Sequence, residues 1–403
     1  MNLVRATPTR LLPRPSDYQV LLVLRILRGF AFGFAPVIIG THLQRRGLSP
    51  LEIGEVLTVA FIASSITGLL LAGSSNQIGR RLALVCAGGL MVLSGLAMAF
   101  ATPFWLLLAG AMTGMLGAGG PDLGPNVPIE QAVLAESVTA GRRNQAFGRY
   151  SLTGALASSA GALLAGVGSD LGRTQAMWAA FAGFGVITAA LPLLLSASVE
   201  SPVRESKMVK LRPILPLAGL IALDSFGGGL VTTSVLAFWL HVRFGAGLDI
   251  LGPAFAAMSL LVAGSYEISA RLGDRFGLIN TMVFTHLPSN VILILVAFSP
   301  TLTVAIALLL ARNAISQMDV PVRQAYIAST VPPSSRAGAL AVMSAVRGVA
   351  QAFGPILSGL AIQFAVFAVP LIVGGSVKGL YDVGLYFGYR SRPAEHERKG
   401  ATR

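Results

Sequence analysis

Apolar residues run in blocks of about 20 along the whole chain, broken by short polar stretches rich in glycine, proline and arginine. A block of that length, wound as a helix, spans roughly the 30 Å of a bilayer's hydrocarbon core. The pattern therefore predicts a string of membrane-crossing helices. Twelve are expected, at about 18–42, 51–72, 82–101, 104–132, 145–167, 174–196, 214–240, 250–271, 279–298, 301–329, 337–361 and 366–388. The fourth carries Pro121, Pro125 and Pro128 in its second half. From Glu200 to Arg212 the pattern stops: Pro202 and six charged residues sit in a stretch with no apolar run, which reads as a linker between two halves. The expected fold class is an all-α integral membrane protein of two six-helix bundles. Residues 1–16 form a tail, 17–197 the first bundle, 198–213 the linker, 214–389 the second bundle and 390–403 a second tail.

Composition agrees with that pattern. Of 403 residues, 54% are hydrophobic and 12% charged, against about 25% charged in soluble domains. The net charge of +13 does not signal nucleic acid, because the basic residues lie in short loops and tails and form no basic domain. Their placement orients the chain instead. With both termini cytoplasmic, the cytoplasmic segments hold 21 of the 30 Lys and Arg, and the external loops hold Arg45, Arg46, Arg173 and Arg243. A multi-pass protein of the plasma membrane, functional as a monomer, is the expectation. The first 17 residues lead into a retained helix with no cleavage site of small residues. Cys86 stands alone, so no intramolecular disulfide forms, and no Cys/His spacing suits a metal. No phosphate loop or nucleophile triad appears, so neither a cofactor nor an enzyme is expected.

The two halves lie over one another. Asn76 to Gly79 matches Asp274 to Gly277 at an offset of 198, and Arg28-Gly-Phe30 matches Asp224-Ser-Phe226 at 196. Asp122 matches Asp319 at 197, and Leu164-Ala-Gly166 matches Leu357-Ser-Gly359 at 193. Four ordered matches at nearly constant offset indicate a duplicated six-helix unit, with a substrate site near the axis between the copies. The stretch Ala72 to Leu84 carries Gly79, Arg80, Arg81 and Leu84. It resembles the loop motif after the second helix of the major facilitator superfamily, Gly-x-Leu-Ala-Asp-Arg-x-Gly-Arg-Lys/Arg-x-x-Leu. Asn76 replaces the motif's Asp, and the second copy keeps Asp274 and Arg275 but lacks the basic pair after Gly277. The resemblance covers about residues 17–389 and implies two pseudo-symmetric bundles, alternating access, and a cavity lined by helices 1, 4, 7 and 10. It also implies that these loops act as a conformational latch, weakened in the first half by the neutral Asn76.

Charges inside apolar helices cost about 2.5–3.5 kcal/mol each and face protein or a wet cavity. Arg28, Asp122, Asp224, Arg312 and Asp319 fall on the helices that the resemblance assigns to the cavity, with Arg323 toward the cytoplasmic mouth. Arg28, Asp224 and Arg312 are the substrate candidates. Asp224, Asp319, Asp122 and Arg323 are the candidates for proton coupling or gating, and a cross-half Arg28–Asp224 pair is expected from their matching depths. Asp122 has a bland alternative, capping backbone freed by its flanking prolines. Lys378 and Asp382 read as a local i,i+4 pair, His286 as a packing residue, and Trp105, Trp178 and Trp239 as interfacial anchors. The expected function is secondary transport of a small solute, first as proton-coupled efflux and second as proton-coupled import or uniport. A receptor or assembly factor on the same scaffold is the reading from a different class. The helix-11 segment Gly354-Pro-Ile-Leu-Ser-Gly359 resembles an antiporter pattern that helix 5 lacks, which weighs against efflux.

Overall fold

The computed structural model describes residues 16–119, 124–138, 143–168, 170–200, 215–320, 322–323, 326 and 336–390. Among these residues lie fifteen α-helices and no strands. Eight of them cross the molecule unbroken: α1 (Asp17–Arg45), α2 (Pro50–Ile78), α3 (Arg80–Phe100), α6 (Arg143–Ala165), α7 (Leu171–Ala190), α10 (Leu248–Phe276), α11 (Leu278–Ala297) and α15 (Val369–Tyr389). The remaining crossings are interrupted. Helix 4 is α4 (Phe104–Ala111) and α5 (Val127–Glu136), and helix 7 is α8 (Leu215–Gly229) and α9 (Thr233–Phe244). Helix 10 starts as α12 (Leu302–Ile315) and turns helical again at Asp319 after a three-residue break. Helix 11 is α13 (Arg336–Ala352) and α14 (Gly354–Gln363). Eight of the described helical stretches are long and apolar enough to span a bilayer on their own.

Hydrocarbon offers no partner to a backbone N–H or C=O, so the chain must pair these groups internally, and helices do so. Side chains start several of them. Ser16 and Ser49 form capping boxes with Gln19 and Glu52, and Asp170, Thr232 and Thr301 cap α7, α9 and α12. The breaks free carbonyls, and serines from neighbouring helices take them up. Ser358 Oγ donates to Leu230 O at 2.8 Å, Ser234 Oγ donates to Ala118 O at 2.7 Å, and Ser269 Oγ donates to Met318 O.

The repeat is visible in the backbone. Gly79, between α2 and α3, has φ 89° and ψ 147°, and Gly277, between α10 and α11, has φ 85° and ψ 156°. Both corners need positive φ, which glycine adopts without the Cβ penalty. The two halves approach closely at the end away from the termini. A Cβ on Gly252 of α10 would stand 2.6 Å from Gly166 N, and one on Gly54 of α2 would stand 2.6 Å from Pro355 O. Such backbone contact through small residues is how membrane helices pack when no hydrophobic drive acts between them.

One expectation changes here. Trp178 and Trp239 are fully buried against protein, with Trp239 Nε1 donating to Phe367 O at 2.7 Å, and Trp105 alone of the three is exposed. Their helix ends meet other helices instead of the bilayer surface. The loop motif of the first half is tied down by two glutamates. Arg80 bonds Glu136 at 2.5 and 3.1 Å, and the backbone N–H groups of Arg80 and Arg81 donate to Glu200 at 2.7 and 3.2 Å. The motif thus fastens the start of α3 to the end of α5 and to the stretch before the linker, all within the first half. Gly79 fits this contact because Glu200 occupies the space its Cβ would need. In the second copy, Arg275 lies exposed over the Phe276 ring. The side chains of Asn76 and Asp274 lie outside the described residues.

Candidate functional site

A cavity of about 350 Å³ lies between the halves. Its polar wall comes from the second half: Asp224, Ser225 and Gly228 on α8, Arg312 and Asn313 on α12, Arg347 and Gln351 on α13, His286 on α11 and Lys378 on α15. Helix 10 adds Gln317, Asp319 and Arg323 beyond its break. Leu236 on α9 and Phe255, Met258 and Val262 on α10 form an apolar wall. The first half contributes Gly119, Ala155 and Ser158.

The helix breaks make this wall possible. At the Gly229–Thr233 interruption the chain is unwound beside the cavity, with Thr232 and Thr233 on its lining. The interruption after Ile315 lies between Arg312 and Asp319, so these two charges sit on separate helical segments and not on one continuous face. Backbone this irregular is tolerated at membrane depth where it is held in protein or lines a cavity.

Asp224 is the centre of an ion cluster. Its carboxylate accepts from Lys378 Nζ at 2.5 Å and from Arg323 at 3.1 Å, and His286 Nε2 lies 3.7 Å away. Arg323 also pairs with Asp319, four residues earlier, at 2.9 Å. Behind His286, Asp382 is held by His286 Nδ1 at 2.9 Å and by Asn290 Nδ2 at 2.8 Å. Lys378 and Asp382 therefore do not pair with each other. A close approach redirects Lys378: a Cβ on Gly227 would stand 2.7 Å from Lys378 Cγ and 2.9 Å from Gly374 O. With no side chain at Gly227, α15 lies directly on α8 and presents the lysine to Asp224. His286 is likewise more than packing, since it bridges the carboxylates of Asp382 and Asp224.

Arg28 is elsewhere. It forms a bidentate pair with Glu130 of α5, and Glu130 also accepts from Tyr150 Oη at 2.5 Å and from Asn126 Nδ2 at 2.9 Å. This cluster is buried inside the first half and lines no part of the cavity between the halves. The expected Arg28–Asp224 pair is not formed, because each charge finds its partners within its own half. Asp122 lies outside the described residues. Arg312 and Arg347 face the cavity, and the Nε atoms of both are buried and without a hydrogen-bond partner among the described residues. No described carboxylate lies within ion-pair distance of Arg312, which is 93% buried.

A duplicated helical bundle, a central cavity and charges concentrated on broken helices are the parts of a carrier. The model of the Major Facilitator Superfamily matches residues 20–316 and again 217–403. The chain belongs to the Major Facilitator Superfamily. It is a transporter and not an enzyme, embedded in the membrane by multiple passes, and its substrate is a small molecule. The transporter is 23% identical over 408 residues to an uncharacterised membrane protein of Saccharomyces cerevisiae, covering 90% of this chain and 91% of that protein. It is 27% identical over 297 residues to Multidrug resistance protein MdtG of Serratia proteamaculans, covering 68% and 70%. Among solved structures, a D-xylose-proton symporter superposes with a TM-score of 0.72 at 18% identity, covering 92% of this chain and 98% of that one. The nucleoside transporter NupG superposes with a TM-score of 0.71 at 14% identity, covering 94% and 99%. At these identities the structures establish the fold alone.

Glu130, Lys378, Asp382 and Arg347 complete the buried charge clusters and the cavity wall. Glu130 had no signal of its own in the sequence beyond being a charge just after Pro128, near the end of the fourth apolar block. Arg347, about ten residues into the eleventh apolar block, could equally pair with a carboxylate or bind an anion on sequence grounds.

Proposed function

We propose that this transporter moves a small organic solute by alternating access with the proton as coupling ion, and that Asp224 carries the proton. The observation behind this reading is the Asp224 cluster: a carboxylate in the cavity wall shares itself among Lys378, Arg323 and His286. While those cations stay, Asp224 is ionised. A substrate or a conformational change that draws them away leaves an unpaired carboxylate at membrane depth, which takes a proton instead of staying charged. Asp319, held by Arg323, belongs to the same exchange. The protein works as a monomer in the plasma membrane with both termini in the cytoplasm, the orientation favoured by the distribution of its basic residues.

Efflux in exchange for protons is the first direction, and the likeness to Multidrug resistance protein MdtG supports it. Proton-coupled import is the second, favoured by the excess of cations over carboxylates among the described residues of the cavity wall. An anion that pulls Lys378 or Arg323 from Asp224 brings a proton with it, and the two then cross together.

Proteoliposomes of the full chain, with an imposed pH gradient of either sign and a panel of organic solutes, test both directions. Solute movement accelerated by an acid exterior identifies the coupling, and its direction identifies the mode. Asp224→Asn is expected to keep solute exchange at equilibrium but lose the acceleration by the gradient. Full pH-gradient dependence in both Asp224→Asn and Asp319→Asn refutes the assignment.

A further inference from the structure

The charges facing the cavity do not balance. Among the described residues four cations line it, Arg312, Arg323, Arg347 and Lys378, against two carboxylates, Asp224 and Asp319. Asp382 stands behind His286 and is occupied by His286 and Asn290. Of the cations, Lys378 and Arg323 have carboxylate partners. Arg312 has none among the described residues, although it is 93% buried and its Nε is unpaired. Arg347 Nε is unpaired as well. A buried guanidinium without an anion is costly, and a cavity wall that presents Arg312 in this state beside the half-buried Arg347 is suited to receive the missing charge. Guanidinium forks match carboxylate and phosphate oxygens in bidentate geometry. The same cavity is lined by Leu236, Phe255, Met258 and Val262, which suit an apolar body. A volume of about 350 Å³ is at the small end of ligand sites, which span roughly 300–1,000 Å³.

We infer that the substrate is a small organic anion, with its carboxylate or phosphoryl group between Arg312 and Arg347 and its apolar body against α9 and α10. This names the substrate class of the site proposed above and rests on the transport reading.

Four probes with one aromatic body and different heads test it: benzoate, phenyl phosphate, benzyl alcohol and benzylammonium. The full chain, purified in an uncharged detergent, is melted with each. Benzoate or phenyl phosphate is expected to raise the melting temperature saturably, and the neutral and cationic probes are not. Arg312→Gln is expected to weaken the anion about 10- to 100-fold, as loss of a charge-assisted hydrogen bond implies, with partial recovery in Arg312→Lys. Should Arg312→Gln fail to fold, Arg347→Gln is read in the same way. Absence of a shift with both anions, a larger shift with benzylammonium or benzyl alcohol, or an anion shift unchanged in both arginine variants overturns the inference. Counterflow of labelled phenyl phosphate and benzylammonium in proteoliposomes separates the two readings. Anion binding without flux of any probe keeps the anion site and removes transport. Flux of benzylammonium without anion binding or flux keeps transport and removes the anion.

Discussion

Replacing Glu130 with alanine strips a buried cation of its partner. In the intact protein the Glu130 carboxylate accepts from both terminal nitrogens of Arg28, from Tyr150 Oη at 2.5 Å and from Asn126 Nδ2 at 2.9 Å, with no exposed surface. After the change, Arg28 remains 98% buried with no described carboxylate to pair with. Removing one member of a buried pair costs about 3–5 kcal/mol, because the remaining charge is stranded. The orphaned donors of Tyr150 and Asn126 act in the same direction, each by about 1–3 kcal/mol where no water reaches them. The stranded charge is the largest contribution, and it sets a distinctive pattern. Arg28→Met combined with Glu130→Leu removes both charges together, and swapping a buried pair for apolar groups is often neutral or stabilising by about 1–4 kcal/mol. The double variant should therefore be more stable than either single variant. Denaturant unfolding of the purified chain in detergent, followed by tryptophan fluorescence, measures this. A loss of 3–5 kcal/mol appears as about two to four decades in the unfolding constant. Glu130→Ala within about 1 kcal/mol of the parent, or a double variant as costly as the sum of the singles, refutes the argument.

Gly252→Leu places a side chain where Gly166 N lies 2.6 Å from the position of a Cβ. Overpacking of about 1–3 kcal/mol should hold the halves apart at the end away from the termini and raise the labelling rate of Leu236→Cys from that side about 5- to 150-fold. Cys86 is the one native cysteine, so a Cys86→Ser background makes the readout specific, and an unchanged rate refutes the contact. Glu200→Ala removes the acceptor for the first two N–H groups of α3, bonded at 2.7 and 3.2 Å. Loss of such a cap costs about 0.5–2 kcal/mol, read as a lower melting temperature, with Glu200→Gln falling between.

Hydropathy made twelve crossings legible because the bilayer forces every apolar block of sufficient length into a helix. It did not show where those helices break. The interruption at Gly229–Thr233 follows the run Gly227-Gly-Gly229, and the one in helix 4 contains Gly114, Gly117 and Pro125; the prolines of helix 4 marked freed backbone, whereas the glycines of helix 7 did not show where the chain unwinds. Glycine is frequent in membrane helices for packing as well as for bending. Ion-pair partners were harder still. Arg28 and Glu130 are 102 residues apart, and Lys378 and Asp224 are 154 apart. The nearer choices that spacing offered, Lys378 with Asp382 and Arg28 with its repeat mate Asp224, lost to tertiary contact. In the first case the missing side chain at Gly227 decides the outcome. In the second, each half is a closed bundle, and its charges are reached first by helices of the same bundle.

That closure bears on how a rocking carrier keeps charges in a membrane. Arg28 and Asp224 occupy matching places in the duplicated unit, yet their surroundings have diverged. The Arg28 cluster draws its residues from α1, α5, α6 and the turn before α5, all in the first half. Rocking one bundle against the other leaves every one of those bonds intact, so its charges pass through the transport cycle without being exposed to lipid or stripped of partners. The Asp224 cluster is equally local, drawn from α8, α11, α15 and helix 10. It differs in facing the cavity, where Arg312 and Arg347 stand beside it without described carboxylates. A charge that is satisfied inside one bundle needs nothing from the solute, whereas a cation left unsatisfied on the cavity wall is stabilised only when something negative arrives. Among the described residues the first half lines the cavity with Gly119, Ala155 and Ser158, and the second half lines it with the charges whose pairing is proposed above to depend on the solute.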